Sequence, residues 1–409
     1  MPPSFDDRLH IQGATYRKVK TERLYYIDCY LTNFRANVTD IQDSGTRVYL
    51  DKTAFYPNSG GQPNDLGTLN NIPILDIVDE EDRVAHVLSE PLASAEEVEG
   101  SIDWARRYDH MQQHTGQHLL SAILVELFGA QTVSFHMGRE VSTIEVDARE
   151  LTASQLEKAE DLASVRAAEA RPVRIRFEDA DAAVTLRKPS QRTGTLRIID
   201  IEGVDSSACG GTHVRSTAEV GPLLIRGAEK LRGNIRLEFV CGRRALNLAR
   251  NDLRILQQLS RHAATSVDRL PEHFLAVRER LSEAEKTSEK LAGELARRDG
   301  EALYQSTMPD MDGIRRAVAY VTSIDAPLRA QAQAYAKGKR AIFLAAGSEP
   351  ATVLLACSPD SGVNAGQVLK QVLAAAGARG GGSNVLAQGA LPDLRLIEKI
   401  KSLVGLAAR

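Results

Sequence analysis

Cysteine is scarce in this chain and too scattered to staple a fold. Cys29, Cys209, Cys241 and Cys357 show no disulfide-scaffold spacing, which agrees with a reducing compartment. Cys29 and Cys357 lie in apolar, strand-like runs and read as core residues. No hydrophobic run approaches the length of a membrane-spanning helix, and Met1 to Asp7 lacks the basic and apolar regions of a signal peptide. These absences argue against a membrane partner and make the cytoplasm the expected location. A net charge of −3 gives none of the overall basic surplus of many nucleic-acid binders. The one glycine-dense stretch, Arg379-Gly380-Gly381-Gly382-Ser383-Asn384, lacks the Lys-Ser/Thr of a phosphate-binding loop, so an ATP-dependent reaction is not expected.

What remains is an ordinary globular composition, 43% hydrophobic and 26% charged, over 409 residues. That length suits two or three domains with cores of their own.

Four side chains carry the chemistry. His114 and His118 stand four apart in Gln113-His114-Thr115-Gly116-Gln117-His118, a spacing that puts both on one face of a helix. Cys209 and His213 flank Gly210-Gly211-Thr212, where glycine lets a loop curl until both side chains converge. Imidazole and thiolate are ligands that zinc prefers, and four of them make a tetrahedral shell. Each pair alone is ordinary: helical histidines are usually solvated or packed, and a lone cysteine is usually a small buried hydrophobe. Together they predict one Zn2+ per chain, clamped between a helix and a distant loop, because the separation is far too long for a zinc finger. His110 sits one step earlier on the helix, but steps of four drift by roughly 40° at 3.6 residues per turn, which leaves it behind the ligands rather than among them.

Along the chain, the first hundred residues read as β, with strands at Arg23 to Leu31, Arg47 to Tyr56, Ile72 to Val78 and Arg83 to Leu88. Among them Ser59-Gly60-Gly61-Gln62 sits in a Pro/Gly turn, either a plain turn or backbone that approaches a ligand. Asp103 caps a helix running to Phe128, where Gly129 stops it. Strands at 133–137, 142–146, 173–177, 196–201, 223–226 and 235–240 and a helix at 153–170 complete an α+β unit. Leu246, Leu253, Leu256 and Leu259 then mark a helix ending before Pro271. Phe274, Val277, Leu281, Ala284, Ser288, Leu291 and Leu295 follow as a heptad seam. The seam packs as an antiparallel hairpin, slightly favoured, or as an interface to a second chain. From about Gly313, strands alternating with helices predict a small α/β domain. Basic residues gather on both sides of the Cys/His loop: Arg171, Arg174, Arg176, Arg187, Lys188, Arg192 and Arg197 before it, and Arg226, Lys230, Arg232, Arg236, Arg243 and Arg244 after it. Phosphate binding and a solvated, carboxylate-interleaved surface explain them equally well.

Three motifs in order resemble one family. Val48-Tyr49-Leu50-Asp51-Lys52-Thr53-Ala54-Phe55-Tyr56-Pro57-Asn58-Ser59-Gly60-Gly61-Gln62, the histidine pair, and Cys209-Gly210-Gly211-Thr212-His213 resemble the editing region of alanyl-tRNA synthetase and its freestanding relatives, the AlaX trans-editing proteins. Gly380-Gly381-Gly382 and Ala387-Gln388-Gly389 resemble the C-terminal DHHA1 domain of the long form. The resemblance implies a β-barrel-like N-terminal domain over 1–102, a zinc-containing α+β editing domain over 103–242, a helical hairpin or coiled coil over 243–308 and a DHHA1-like domain over 309–409. It implies hydrolysis, in trans, of the ester on mischarged tRNA(Ala), chiefly seryl and secondarily glycyl. It makes Ser59, Gly60, Gly61 and Gln62 the substrate-binding stretch, and Arg379, Gly380, Gly381 and Gly382 the RNA-binding candidates. A homodimer through the helical or C-terminal region is also expected.

An aminoacylation pocket cannot strongly reject a residue that adds only a hydroxyl, so a second sieve is needed. Thr115, Gln117 and Thr212 are candidates for reading that hydroxyl, and Asp200, Glu202 and Asp205 for the base. Four bound ligands would leave zinc no open position: it then positions substrate, or one ligand is free at rest and zinc activates water. Where synthetases typically offer a Gln-Lys pair after the helix, this chain has Val133-Ser134-Phe135-His136-Met137-Gly138, so Phe135 and His136 are expected to reshape the pocket. Two other readings are a non-catalytic RNA-binding relative, disfavoured by the intact ligand set, and a zinc hydrolase of a small ester, disfavoured by the basic clusters and the C-terminal unit.

Overall fold

Alternating side chains build the first sheet. Along Asn33–Gln42, Phe34, Ala36 and Val38 turn inward while Asn33, Arg35 and Asn37 face out, the period of a half-buried strand. Antiparallel pairings link Glu97–Ile102, Asn33–Gln42, Arg47–Leu50, Arg83–Leu88, Ile72–Glu80 and Gly67–Leu69 in that order. Glu97–Ile102 also pairs with Gly67–Leu69, so the six-strand set closes on itself. Val48, Leu50, Leu69, Ile77 and Leu88 fill its interior. The strand expected over Arg23 to Leu31 is not there. Glu22–Arg23 is a two-residue strand, followed by a 3-10 turn at Leu24–Tyr26; Tyr25 is buried edge-on to Tyr56, so these aromatics pack inward instead of alternating.

The computed structural model describes residues 10–11, 14–15, 19–93, 95–180, 186–187, 193–393 and 395–406. The chain is mixed α+β with several sheets and divides into two units, Met1–Gln258 and Leu259–Arg409.

In the first unit, helix α1 (Trp104–Phe128) starts where the Asp103 side chain accepts a hydrogen bond from the Arg106 amide. It ends at Gly129, whose positive φ of 67° suits the left-handed cap. Every residue from His110 to Leu124 is buried. The helix packs with α2 (Ala153–Ala168) and with a four-stranded sheet ordered Thr132–Met137, Ser142–Val146, Ile235–Cys241, Leu223–Lys230. Gly116 permits that approach: a Cβ there would overlap the Cys241 sulfur. A three-stranded sheet, Val173–Asp179, Thr195–Ile201 and Asp205–Ala208, leads into the Cys/His loop. α1 is tied to the N-terminal strands by Arg107, fully buried, which donates to Asp65 and to the carbonyls of Cys29 and Ala54.

Helix α3 (Gly242–Ala263) follows. The second unit contains α4 (Leu270–Ser306), α5 (Ala326–Ala336), α6 (Ala365–Ala375) and α7 (Leu396–Leu403). Its five-stranded sheet is ordered Arg315–Val321, Ala341–Ser348, Ala351–Cys357, Leu386–Ala390, Gly380–Gly382, with only the first pair parallel. Gly380 to Gly382, which in sequence looks like part of a loop, is therefore the edge strand. Glycine is required at its first position, because a Cβ on Gly380 would meet Leu373 and Gly389. The C-terminal end of α4 packs on α5 where Gly300 lets the helices touch, whereas the seam residues Phe274, Leu281, Leu291 and Leu295 are exposed. Among the described residues, no helix is long and apolar enough to cross a membrane.

Candidate metal centre

α1 presents His114 and His118 one turn apart, and the end of strand Asp205–Ala208 delivers Cys209 opposite them. The chain then curls through Gly210-Gly211 and brings His213 back. Gly211 is obligatory, since a Cβ there would overlap the His114 ring. Arg197 fixes the curl by donating to the carbonyls of Cys209, at 2.7 Å, and Gly211, at 2.9 Å.

One donor atom from each of the four side chains lies within 4.8 Å of the others. Cys209 Sγ is 3.4 Å from His114 Nε2 and 3.4 Å from His213 Nε2. Metal–ligand bonds of about 2.0–2.3 Å at tetrahedral angles separate donors by roughly 3.3–3.8 Å; both Cys209 distances fall in that range, and the four donors, within 4.8 Å of one another, could hold a metal ion.

The outer nitrogens are already committed. His114 Nδ1 donates to Gln62 Oε1 at 2.8 Å, and His118 Nδ1 donates to Asp205 Oδ2 at 2.8 Å. His213 Nδ1 meets Thr115 Oγ1 at 3.2 Å. Each ring is thereby held with Nε2 toward the common point, the arrangement that outer partners impose on ligating histidines. Gln62 is itself locked, accepting from the Thr212 amide and donating to the Thr212 hydroxyl.

The charges agree with this reading. Burial pushes the Cys209 thiol up, but the charges of His114 and His213 and hydrogen bonds from His114 and His118 outweigh it and hold the thiol well below its usual value. Burial, with His114 nearby, lowers His213 to about 3. For His118 burial acts downward, yet the hydrogen bond to Asp205 and the neighbouring Cys209 carry it up to about 9. A thiolate among inward-facing imidazole nitrogens suits a cation, whose binding would displace the proton that His118 otherwise holds.

Two clefts meet at this cluster. One, of about 780 Å³, is lined by Tyr25, Tyr26, Tyr56, Ser59 and Gly60 beside His114 and Cys209. The other, of about 360 Å³, is lined by Gln117, Ser134, Phe135 and Ser207 beside His114, His118 and Cys209. Gly60 and Gly210 border both.

Residues 196–238, which include Cys209 and His213, match the family model described as the threonyl and alanyl tRNA synthetase second additional domain. An alanyl-tRNA editing protein, AlaX-L of Pyrococcus horikoshii, is 32% identical over 395 residues, covering 90% of this chain and 94% of its own. The chain belongs to the alanyl-tRNA editing protein family. The Xenopus laevis alanyl-tRNA editing protein Aarsd1-A is 38% identical over 239 residues, 54% of this chain. The chain spans 58% of that relative's length and 51% of the mouse Aarsd1. A solved C-Ala domain of Aquifex aeolicus alanyl-tRNA synthetase covers 25% of this chain and 97% of its own at 21% identity, with a TM-score of 0.21, too low to establish a shared fold.

Within this editing-family chain the structure sorts the sequence-predicted residues by where it places them. His114, His118, Cys209 and His213 come together. Thr115, Thr212 and Asp205 are buried at the outer face of the ligand set, bonded to His213, Gln62 and His118 respectively. Gln62, predicted to read substrate, is fully buried and faces His114 instead. Ser59, Gly60 and Gln117 do line the clefts. Gly61 is pressed against Phe135, and its carbonyl accepts from the Met137 amide at 2.8 Å.

Of the other carboxylates, Glu202 is exposed and paired with Arg174, and Asp200 lies 3.7 Å from Arg176. His110 is buried, and its Nδ1 has no partner. Phe135 stacks on His114, with centroids 5.3 Å apart at 29°, while His136 is exposed and lines neither cleft. Most of the basic cluster is paired, Arg187 with Asp205, Arg226 with Asp252, Arg236 with Glu145 and Arg244 with Asp109, which favours the carboxylate-interleaved surface. Lys188 and Arg192 lie outside the described residues. Arg379 and Gly380 to Gly382 are exposed in the second unit. Sequence reasoning misses Tyr25 and Tyr26, whose aromatic character suits a strand equally well, and it counts Arg197 with the basic cluster rather than as the side chain that holds the Cys/His loop.

Proposed function

We propose that the chain is a zinc-dependent aminoacyl-tRNA deacylase, hydrolysing in trans the ester of mischarged tRNA(Ala), chiefly seryl and secondarily glycyl. The observation that carries this reading is the convergence of three imidazoles and a thiolate at the junction of two clefts, in a chain aligned over 94% of an alanyl-tRNA editing protein. The larger cleft, walled by tyrosines, suits the terminal nucleoside, and the smaller suits the amino acid. Gln117 and Ser134 in the smaller cleft are the groups we assign to reading the serine hydroxyl. Zinc held by His114, His118, Cys209 and His213 would supply Lewis-acid polarisation and substrate orientation.

The chain's own residues set up the reaction. Gln62, Asp205 and Thr115 orient the three rings, and Arg197 holds the loop in register. Water adds to the ester carbonyl, the bond to the ribose oxygen breaks, and that oxygen takes up the proton. Asp205, with one oxygen on His118 and the other on Arg187, acts as a positioning residue rather than as a base. We further assign 1–102 and 103–242 to the editing region, 243–308 to a helical connection, and 309–409 to a DHHA1-like part in which Arg379 and Gly380 to Gly382 contact RNA. The exposed α4 seam is the surface we assign to a homodimer.

The test is deacylation of seryl, glycyl and alanyl esters on tRNA(Ala), with His114→Ala and Cys209→Ala beside the parent. Fast serine release, sparing of the alanyl ester, and loss of both activity and metal in the variants are expected. Equal hydrolysis of all three esters, or activity that persists after zinc removal, overturns the reading.

A further inference from the structure

A third cleft, of about 490 Å³, opens one turn along α1 from the ligand set. His110 lines it, four residues and so about 6 Å of helix before His114. Four guanidinium groups border it, Arg106, Arg139, Arg243 and Arg244, against a single carboxylate, Asp109. Arg244 is neutralised there, gripping Asp109 with both Nε and Nη2 and donating Nη1 to the Gly138 carbonyl. Arg106 spends one nitrogen on the Asn64 carbonyl. Arg139 and Arg243 are exposed, with no side-chain hydrogen bond or ion pair among the described residues.

Four positive charges less one negative leaves three uncompensated in a concave wall, where low-dielectric surroundings focus their field. His110 lies beneath this wall, 3% exposed, with its Nδ1 fully buried, so the donors that reach the cleft are the guanidinium groups. Several guanidinium forks together match phosphate oxygens, which accept from several donors at once.

We propose that this cleft binds backbone phosphates of the RNA strand whose acylated 3′ end reaches the metal centre. The assignment rests on the deacylase reading above. A strand that ends at the ligand set and runs over the preceding turn of α1 brings its phosphates to this cleft, which Pro63, next to Gln62 in the chain, also lines. Two of the three uncompensated charges are exposed arginines from separate segments, the turn after Met137 and the first turn of α3.

The experiment replaces Arg139 and Arg243 together with glutamine and measures equilibrium binding of uncharged tRNA(Ala) over a salt series, with inorganic phosphate as a competitor. Two lost phosphate contacts make the slope of log K against log salt shallower by about 1.4–1.8. Metal content stays at the parent value. The paired Arg139→Lys and Arg243→Lys variant recovers most of the slope, since it keeps the charge. A charge-matched pair elsewhere on the unit, Arg149→Gln with Lys158→Gln, leaves the slope at the parent value.

An unaltered slope in the Arg139/Arg243 glutamine variant, or an equal drop in the charge-matched pair, overturns the proposal. So does inorganic phosphate that binds the parent but not this variant while tRNA binding is the same in both, which marks a free-phosphate site. Because no ester is cleaved in this measurement, failure of the deacylase reading shows up separately, in the hydrolysis assay.

Discussion

His114 Nδ1 donates to Gln62 Oε1 at 2.8 Å across 52 residues of chain. The contact joins a turn of the N-terminal region to the middle of α1, and makes the orientation of a metal-facing ring depend on a buried glutamine that lines neither cleft at the cluster. Asp205 does the same for His118 from the other side.

Removing either outer partner is expected to loosen the metal while leaving its ligands in place. Gln62→Leu and Asp205→Asn should each lower zinc affinity by about 10- to 100-fold, measured by competition with a chromophoric chelator. If both variants retain zinc as tightly as the parent, the outer hydrogen bonds do not position the rings.

His86 offers a pH dependence whose sign can be worked out. It is fully buried between Thr53 Oγ1, 2.8 Å from Nε2, and the Val48 carbonyl, 3.1 Å from Nδ1. Burial lowers its pKa from 6.5 to about 4. The unfolded chain therefore takes up a proton near pH 6.5 while the folded chain resists until about pH 4. Stability is lost as pH falls through that window and levels off below it, by about 3 kcal/mol in total from this group. His86→Gln should flatten the urea-denaturation midpoint between pH 6.5 and 4 relative to the parent. Parallel curves for the two proteins would show that His86 does not titrate in this way.

Arg107 and Asp65 form a buried ion pair, 1% and 0% exposed at their side chains. Arg107→Met should destabilise the first unit by about 3–5 kcal/mol, because it leaves a buried carboxylate without its cation. Adding Asp65→Asn removes that charge while still accepting the Tyr56 amide, and should recover much of the loss. Chemical denaturation of the single and double variants gives the comparison, and a double variant no more stable than the single one would contradict it.

Much of this arrangement is legible along the chain. Asp103 and Gly129 mark the ends of α1 to the residue, because caps are local hydrogen-bond problems solved by a few residue types. Most strands from 132 onward in the first unit follow from their apolar and β-branched pattern, but Asp205–Ala208 is too short and polar to be told from the loop that follows it. Asn33–Gln42 escapes a reading by pattern although its alternation is regular, since Ala36 and the intervening Asn and Arg residues dilute the apolar signal. Gly380–Gly382 cannot be recognised as a strand from composition: glycine disfavours strands, and only close contacts of Gly380 with Leu373 and Gly389, and of Gly382 with Leu386 and Ala387, call for it at those two positions.

The sequence by itself determined which four side chains could hold a metal, because a spacing of four on a helix and a Gly-Gly curl in a loop are short-range geometry. Which polar neighbour does what was decided only by the tertiary structure. Gln62, Thr115, Thr212 and Asp205 look interchangeable with substrate-reading groups along the chain. Folding buries them behind the rings, where an unpaired donor or acceptor would be costly, and so turns them from the substrate toward the ligands.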